Sequence, residues 1–537
     1  MAFNSSSLAA GVGAGVQNVP RGVSGSDVPR NIVIVGTYLS SISGITNETI
    51  YGPYTGATAI GAVFGFGSMI HRLALAAFQS NTGATVWVVP QAETVGAATA
   101  TSASVVVTGP ATAAGTLAVY IDVLGSYGRY AISVASGDSV TTIGDALAAA
   151  INADSSSPVT AVDTTGSVAL TAKSKGPWGN SIPVAVNIVH GDALPAGVGV
   201  TVTALTGGTG VPVIANALNA LGTGSNANNL PNNQWMTDLV HGYLGSSTAM
   251  ATTAQDQTTL TAISTYNGLA GTNPPTGCYA HIVGRPFRCI NGDNTNSATV
   301  PSALVTLATT NDEDRTDGLL CLGGSRTHPC EIAAVASGVV ESVTAQVAAK
   351  TYVNQILIGV EPGPGAQWNQ DYDNRDTAVK AGLSPALVVG GYAVLQNVVT
   401  FYTSNTSVPS VSNGYREFVN LAKIQNIIAD TISTFKNAKW SGCTIVQDSA
   451  VVTDPDARQI VRSVDDVIDE LIARVKYWAS KAWLYNTAET IAALQVPGAV
   501  TVRPAGDGFT NVIPTVFSGM ANIIDTTIQF DISVAGL

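Results

Sequence analysis

Asn31-Ile32-Val33-Ile34-Val35-Gly36 is a β-branched run closed by a glycine, and it reads as a buried strand. After a loop, Gly65-Phe66-Gly67-Ser68 opens an apolar helix that runs to about Gln79. Thr85-Val86-Trp87-Val88-Val89 is a second buried strand, stopped by Pro90. Strand, helix and strand in this order predict an α/β layer.

The same character returns over residues 206–365. Strands are expected at 278–284, at 318–323 and at 354–360. Segments 31–95 and 206–365 are therefore assigned to one α/β domain. Residues 96–205, rich in Thr, Ala, Val and Gly, break this pattern and read as an inserted β-rich domain. Its one clear helix places Ile143, Leu147, Ala150 and Ile151 on one side. A strand at 168–172 follows, then the turn Lys175-Gly176-Pro177-Trp178-Gly179.

Residues 366–537 form the expected C-terminal domain. Ala386–Val389, the turn Gly390-Gly391 and Tyr392–Tyr402 predict a hairpin. Two amphipathic helices come next. Phe418, Leu421, Ile424, Ile427, Ile428, Ile432 and Phe435 stripe the first; Ile468, Leu471, Ile472, Val475, Trp478 and Ala482 stripe the second. Asn486, with Glu489 three positions on, starts a third. Near the end, Ile528, Phe530, Ile532 and Val534 alternate with Thr527, Gln529, Asp531 and Ser533, the period of a half-buried strand. At the other end, residues 1–30 are rich in Gly, Ser, Ala and Val and read as an arm.

A chain of 537 residues exceeds a single core, so two to four domains are expected. Of its residues 46% are hydrophobic but only 11% are charged, against a usual ~25%. A soluble monomer keeps a charged surface. So few charges suit a surface partly covered by copies of the same chain. The net charge of −12 argues against general nucleic-acid binding. Basic residues gather at 416–484, which hold nine of the 23 in the chain and include Arg474, Lys476 and Lys481. The cysteine count of five, with no CxxC, points to reduced thiols and folding in a cytoplasm. No secretory leader and no membrane-spanning run is visible.

Candidate chemistry is sparse. Gly11-Val12-Gly13-Ala14-Gly15 precedes the first strand, where a dinucleotide fingerprint must follow one. The loop at Gly65–Ser68 lacks a third glycine and a P-loop lysine. Cys321, His328 and Cys330 have no second ligand pair at zinc spacing. Asp371, Asp373 and Asp376 lack the glycine and bidentate glutamate of a calcium loop. The five histidines stand in no nameable catalytic pattern. No catalytic, cofactor or metal residue is assigned, and the chain is read as a non-enzyme.

The order of segments resembles the tail sheath proteins of contractile bacteriophage tails, in particular the Mu-like subgroup. The residues carrying the resemblance are Ile32–Gly36, Phe64–Met69, Val86–Val89, Ala146–Asn152, Val168–Lys173, Lys175–Asn180, Ala381–Pro385 and Val398–Tyr402, then the long C-terminal helix and terminal strand. Where the family often carries an acidic–basic pair before the strand end, this chain has Gln396 and Asn397.

The resemblance implies an α/β and α+β multidomain sheath core with an inserted β-rich domain. It also implies extended terminal arms for strand exchange between subunits. Six-fold rings would stack helically around a tail tube, with baseplate and tail terminator proteins as further partners. The site would be the virion tail, after assembly in the host cytoplasm. The donor strand is expected at 526–535, anchored by Ile528, Phe530, Ile532 and Val534. The acceptor is expected in the hairpin at Val394, Gln396, Val398 and Thr400 of a neighbour. Arg474, Lys476 and Lys481 are the candidate tube-facing residues. The residues alone leave other readings open: another virion or surface-layer subunit, a secreted Ser/Thr-rich binding module, or a cofactor-dependent α/β enzyme.

Overall fold

A computed structural model describes residues 27–81, 83–101, 103–189, 191–245, 255–272, 274–363, 367–403, 413–504, 506 and 508–518. Its centre is an eight-stranded sheet. Across the sheet the strands run Tyr392–Leu395, Leu383–Val389, Asp317–Cys321, Arg288–Asp293, Asp238–His241, Asn31–Thr37, Thr85–Gln91 and Tyr51–Tyr54. The six inner strands are parallel, and each end strand is antiparallel to its neighbour. All seven residues of Asn31–Thr37 are buried, as suits a continuous apolar strand covered on both faces.

Helices cover the sheet. Met69–Ser80 starts at Ser68, whose hydroxyl accepts the His71 N–H. It packs on Pro329–Gln346 so closely that a Cβ on Gly338 would lie 2.5 Å from the Ala77 carbonyl oxygen. Leu320 and Leu322 belong to the large core on this side. Leu319 and Cys321 alternate into a second core with Leu260, Leu304, Trp368 and Phe401.

Between Thr85–Gln91 and Asp238–His241 the chain builds two further antiparallel sheets. One orders Gly199–Val202, Ala103–Thr108, Ser167–Ala172 and Val159–Thr164; the other orders Tyr127–Val134, Gly115–Leu124 and Val184–Val186. Bridges Ala98–Thr209 and Thr101–Thr206 bring the incoming and outgoing chain side by side. The large core nevertheless continues from this region into the main sheet. Arg72 fastens the two together, paired to Asp122 at 3.1 Å and to Glu331 at 2.7 Å, all three buried.

A third core gathers Val467, Leu471, Val475, Trp478, Trp483, Leu494 and Val500. Around it lie helices Phe418–Phe435, Val464–Ser480 and Thr487–Leu494, with two isolated two-stranded sheets. A reciprocal Ser463/Asp466 cap starts the second helix, and Asn486 caps the third by accepting the Glu489 N–H. Among the described residues, no helix is long and apolar enough to cross a membrane.

Five sequence expectations are corrected. Residues 278–284 are turns, not a strand: Gly277 and Gly284 have φ of 58° and 59°, and Ile282 is exposed. The chain must turn there before entering the strand Arg288–Asp293. Residues 354–360 make only isolated bridges, Ile356 to Val394 and Val360 to Leu124. The strands Leu383–Val389 and Tyr392–Leu395, assigned to the C-terminal domain, complete the main sheet, because Leu383 pairs in register with Leu319. Beyond Leu395 no regular strand continues to Tyr402.

The fifth correction concerns the helix Phe418–Phe435. Of its predicted stripe Phe418 and Leu421 are buried, but Ile424, Ile427, Ile428, Ile432 and Phe435 are only half-buried, and Lys423, Gln425, Asn426 and Asp430 are buried beside them. Gln425 accepts from the Arg30 guanidinium and donates to the Thr237 and Pro286 carbonyls. Asp430 accepts from the Trp478 indole at 2.7 Å. A polar face is tolerated inside when its groups find partners.

Candidate subunit interfaces

The described chain begins and stops at one corner. Asp27 lies 3.5 Å from Lys481, and the Val28 N–H donates to Asn426. Ser518, the last described residue, donates its N–H to the Trp483 carbonyl and its hydroxyl to the Ala482 carbonyl. The Lys423 ammonium donates to both Ser518 oxygens. Burial pushes the Lys423 amine down to about 8, against the opposing pull of Glu417. The contacts at Lys481, Ala482 and Trp483 are adjacent in sequence, so Asp27 and Ser518 lie against the same end of the helix Val464–Ser480. The expected donor residues Ile528, Phe530, Ile532 and Val534, and all of the arm before Asp27, lie outside the described residues.

The expected acceptor edge is not open. Beside Val394, the Asn354 N–H donates to the Leu395 carbonyl, Leu395 N–H to Gln355, and Leu357 N–H to Ala393. Further on, Phe418 N–H donates to Val398 and Thr400 N–H to Arg416. Val394, Val398 and Thr400 are all buried by the same chain, and the Gln396 side chain is turned inward with its Oε1 buried. The edge is closed by residues that the sequence places some forty positions upstream or twenty downstream, so alternation alone did not show it.

Two smaller sheets differ: among the described residues, Val500–Val502 pairs with Phe509–Asn511 alone, and Thr444–Ile445 with Val461–Arg462 alone. Val502, Ile460 and Val512 are exposed on or beside these pairs. The signal in the sequence is Val500-Thr501-Val502 followed by Pro504 and the glycines Gly506 and Gly508, a hairpin pattern.

The three candidate tube-facing cations differ. Arg474 reaches Asp430 at 3.4 Å and Glu470 at 3.6 Å. Lys481 pairs with Asp27 and lies 5.6 Å from the Tyr477 ring centroid. Lys476 is exposed, with no ion pair among the described residues. The three stand on one helix and its cap without forming a cluster of free charge.

The residues weighed for chemistry take structural positions. His328 caps the helix Pro329–Gln346 by accepting the Cys330 N–H, and its other ring nitrogen meets the Trp178 carbonyl at 3.0 Å. Burial lowers the His328 imidazole to about 4, so it is neutral at physiological pH. Cys321 and Cys330 are buried thiols pushed up by burial. The Gly67 amide is taken by the His71 ring, and the Met69 amide by the Ser174 hydroxyl. Asp371 caps a helix by accepting the Asn374 N–H. Among the described residues, no three His, Cys, Asp or Glu side chains gather where a metal could sit.

No protein-family model matches the chain. Sheath tail proteins from Desulfitobacterium hafniense and Listeria innocua are structural neighbours at 10% identity, with TM-scores of 0.43 and 0.41. The alignments cover 94% and 92% of this chain and 98% and 94% of theirs. A 194-residue stretch is 31% identical to the Mu-like prophage FluMu tail sheath protein of Haemophilus influenzae. That stretch spans 36% of this chain and 38% of the relative. Over those residues, the chain is homologous to a Mu-like tail sheath protein.

Proposed function

We propose that the chain is the repeating structural subunit of a contractile phage tail sheath, without enzymatic activity or cofactor. It polymerises as six-fold rings stacked helically around a tail tube, between a baseplate and a tail terminator. It then shortens to drive the tube through the host envelope. Assembly takes place in the host cytoplasm, and the final site is the virion tail. The observation that carries this reading is the 194-residue match to a tail sheath protein. The low charge content supports it, because a surface that copies cover needs few charges.

Copies are linked by the strand 526–535, which pairs with an open edge of a neighbour. With Val394–Thr400 closed, the acceptor that suits it is the hairpin Val500–Val502/Phe509–Asn511. A third strand on this pair would satisfy the backbone groups along its edge. Electron microscopy of the purified protein tests the reading. Wide hollow helical cylinders are expected; closed shells or flat lattices would instead identify another assembly class.

Within this reading, Lys476 and Lys481 face the tube and Arg474 positions the helix that carries them. Reversing Lys476 and Lys481 to Glu is expected to weaken co-sedimentation with tube protein about tenfold at low salt, and less at high salt. Unchanged binding at every salt concentration would remove these residues from the tube face.

A further inference from the structure

One groove stands out, with a volume of about 890 Å³. It lies between the helices Phe418–Phe435 and Val464–Ser480 and the amino ends of three inner strands. Val28–Pro29 precede Asn31–Thr37, Gln234–Trp235 precede Asp238–His241, and Val283–Arg285 precede Arg288–Asp293. Arg285, Lys436, Lys439 and Arg474 line it; Glu470 pairs with Lys439 at 2.8 Å and Arg474 at 3.6 Å, and Arg474 also reaches Asp430 at 3.4 Å, so four cations stand against two carboxylates. Ile432 and Trp440 supply apolar wall. In a chain of net charge −12 this is a locally basic, partly apolar recess.

The opposite end of the sheet carries a matching projection. The Trp368 N–H donates to Ser297, just beyond the carboxyl end of Arg288–Asp293. Asn369 donates to Ala386, and Gln370 accepts the Val388 N–H, in the strand Leu383–Val389. These bonds hold the next turn at the carboxyl end of the parallel strands. That turn is Asp371-Tyr372-Asp373, the cap and start of the helix Tyr372–Lys380, all exposed, with Tyr372 61% accessible.

We propose that the Asp371–Asp373 turn of one copy seats in this groove of the next, a head-to-tail contact between two copies of the chain. The proposal rests on the assembly reading and gives it a specific joint. A surface at one end of the sheet that fits a surface at the other end makes a heterologous contact, which builds open helical polymers instead of closed dimers. Charge complementarity selects this occupant over the N-terminal residues 1–26. Residues 1–26 carry one cation, Arg21, and no carboxylate side chain.

The contact is tested on the full-length protein by charge swap and cross-linking. Asp371→Asn with Asp373→Lys keeps a helix cap and removes the acidic charge. Lys436→Glu with Lys439→Glu inverts the groove. Each pair is expected to raise the concentration needed for polymerisation at least about tenfold, while the thermal midpoint of the unassembled protein changes little, the groove pair losing only the surface Lys439–Glu470 ion pair. Combining the two pairs is expected to recover most of the loss. In mixtures of isotopically light and heavy protein, a carbodiimide should join Asp371 or Asp373 to Lys436 or Lys439 between copies. The link from Lys439 to Glu470, 2.8 Å apart within one chain, serves as the internal control. Cross-links from Asp525 or Asp531 to these lysines would identify the C-terminal segment as the occupant and overturn the contact. So would single swaps without effect, or a combined swap without recovery, in a protein that polymerises. A wild-type protein that forms no polymer would overturn the assembly reading, and the contact with it.

Discussion

A chain ending before Thr526 is expected to fold and to lose polymerisation. The three cores lie within residues 32–500, so the truncation removes none of the described packing. What it removes is Ile528, Phe530, Ile532 and Val534 on one side of an alternating strand. Burial of each against a neighbour contributes roughly 1.5–3 kcal/mol. About six new backbone hydrogen bonds add ~0.5–1.5 kcal/mol each. The gross link is on the order of 10–20 kcal/mol, less the ordering of the segment and the entropy of association. Loss of even half of that would leave little polymer at micromolar protein. Thermal unfolding should be unchanged while electron microscopy shows no cylinders. Cylinders of normal length and number from the truncated protein would disprove the link. Phe530→Asp in the full chain should act in the same direction, since it buries a charge in the donor's apolar face.

The second large effect is expected inside the fold. Arg288 is fully buried and bonds both Asp238 oxygens at 3.1 and 3.0 Å, Glu341 at 2.7 Å and the Tyr352 hydroxyl at 3.0 Å. It pairs in register with Asp238 across two adjacent strands, and Glu341 brings in the helix Pro329–Gln346. Arg288→Met would leave two buried carboxylates without their chief cation. Breaking a buried pair in this way costs about 3–5 kcal/mol. Chemical denaturation at pH 7 measures it, and a loss under about 1 kcal/mol would show that the site relaxes or hydrates.

The pH dependence has a definite sign. Burial works against the charge on Glu341, but Arg288 and Arg30 outweigh it and hold its carboxyl below the ordinary 4.5. Its contribution is therefore present above the unfolded value and lost as pH falls through the folded one. Burial raises the Asp238 carboxyl, and the neighbouring Glu341 charge adds to the rise after Arg288 has opposed it. In Arg288→Met both carboxyls would sit high, so the variant gains protons on folding and weakens as pH rises. The deficit against wild type should be greatest above about pH 5 and narrow below it.

Local features were legible where local chemistry decides them. Asn31–Thr37 and Thr85–Gln91 are strands because runs of Val, Ile and Trp between Gly and Pro have little else to do. Helix starts at Ser68 and Asn486 are visible because a hydroxyl or amide oxygen reaches an amide three positions on. The helix Phe418–Phe435 shows the limit. Its apolar stripe is buried at Phe418 and Leu421, yet the burial of its polar Gln425 and Asp430 is set by Arg30, Thr237, Pro286 and Trp478, which come from four distant segments.

By itself the sequence determined the α/β character, the caps, the scarcity of charge and the alternating pattern at 527–534. These follow from side-chain period and from bonds within one turn. Tertiary structure alone decided which strand edges are covered. Val394–Thr400 is closed by residues 354–357 and 416–418, while among the described residues Val500–Val502 and Phe509–Asn511 pair only with each other. A backbone edge is satisfied or free according to what the folded chain lays beside it, and no period along the chain records that neighbour.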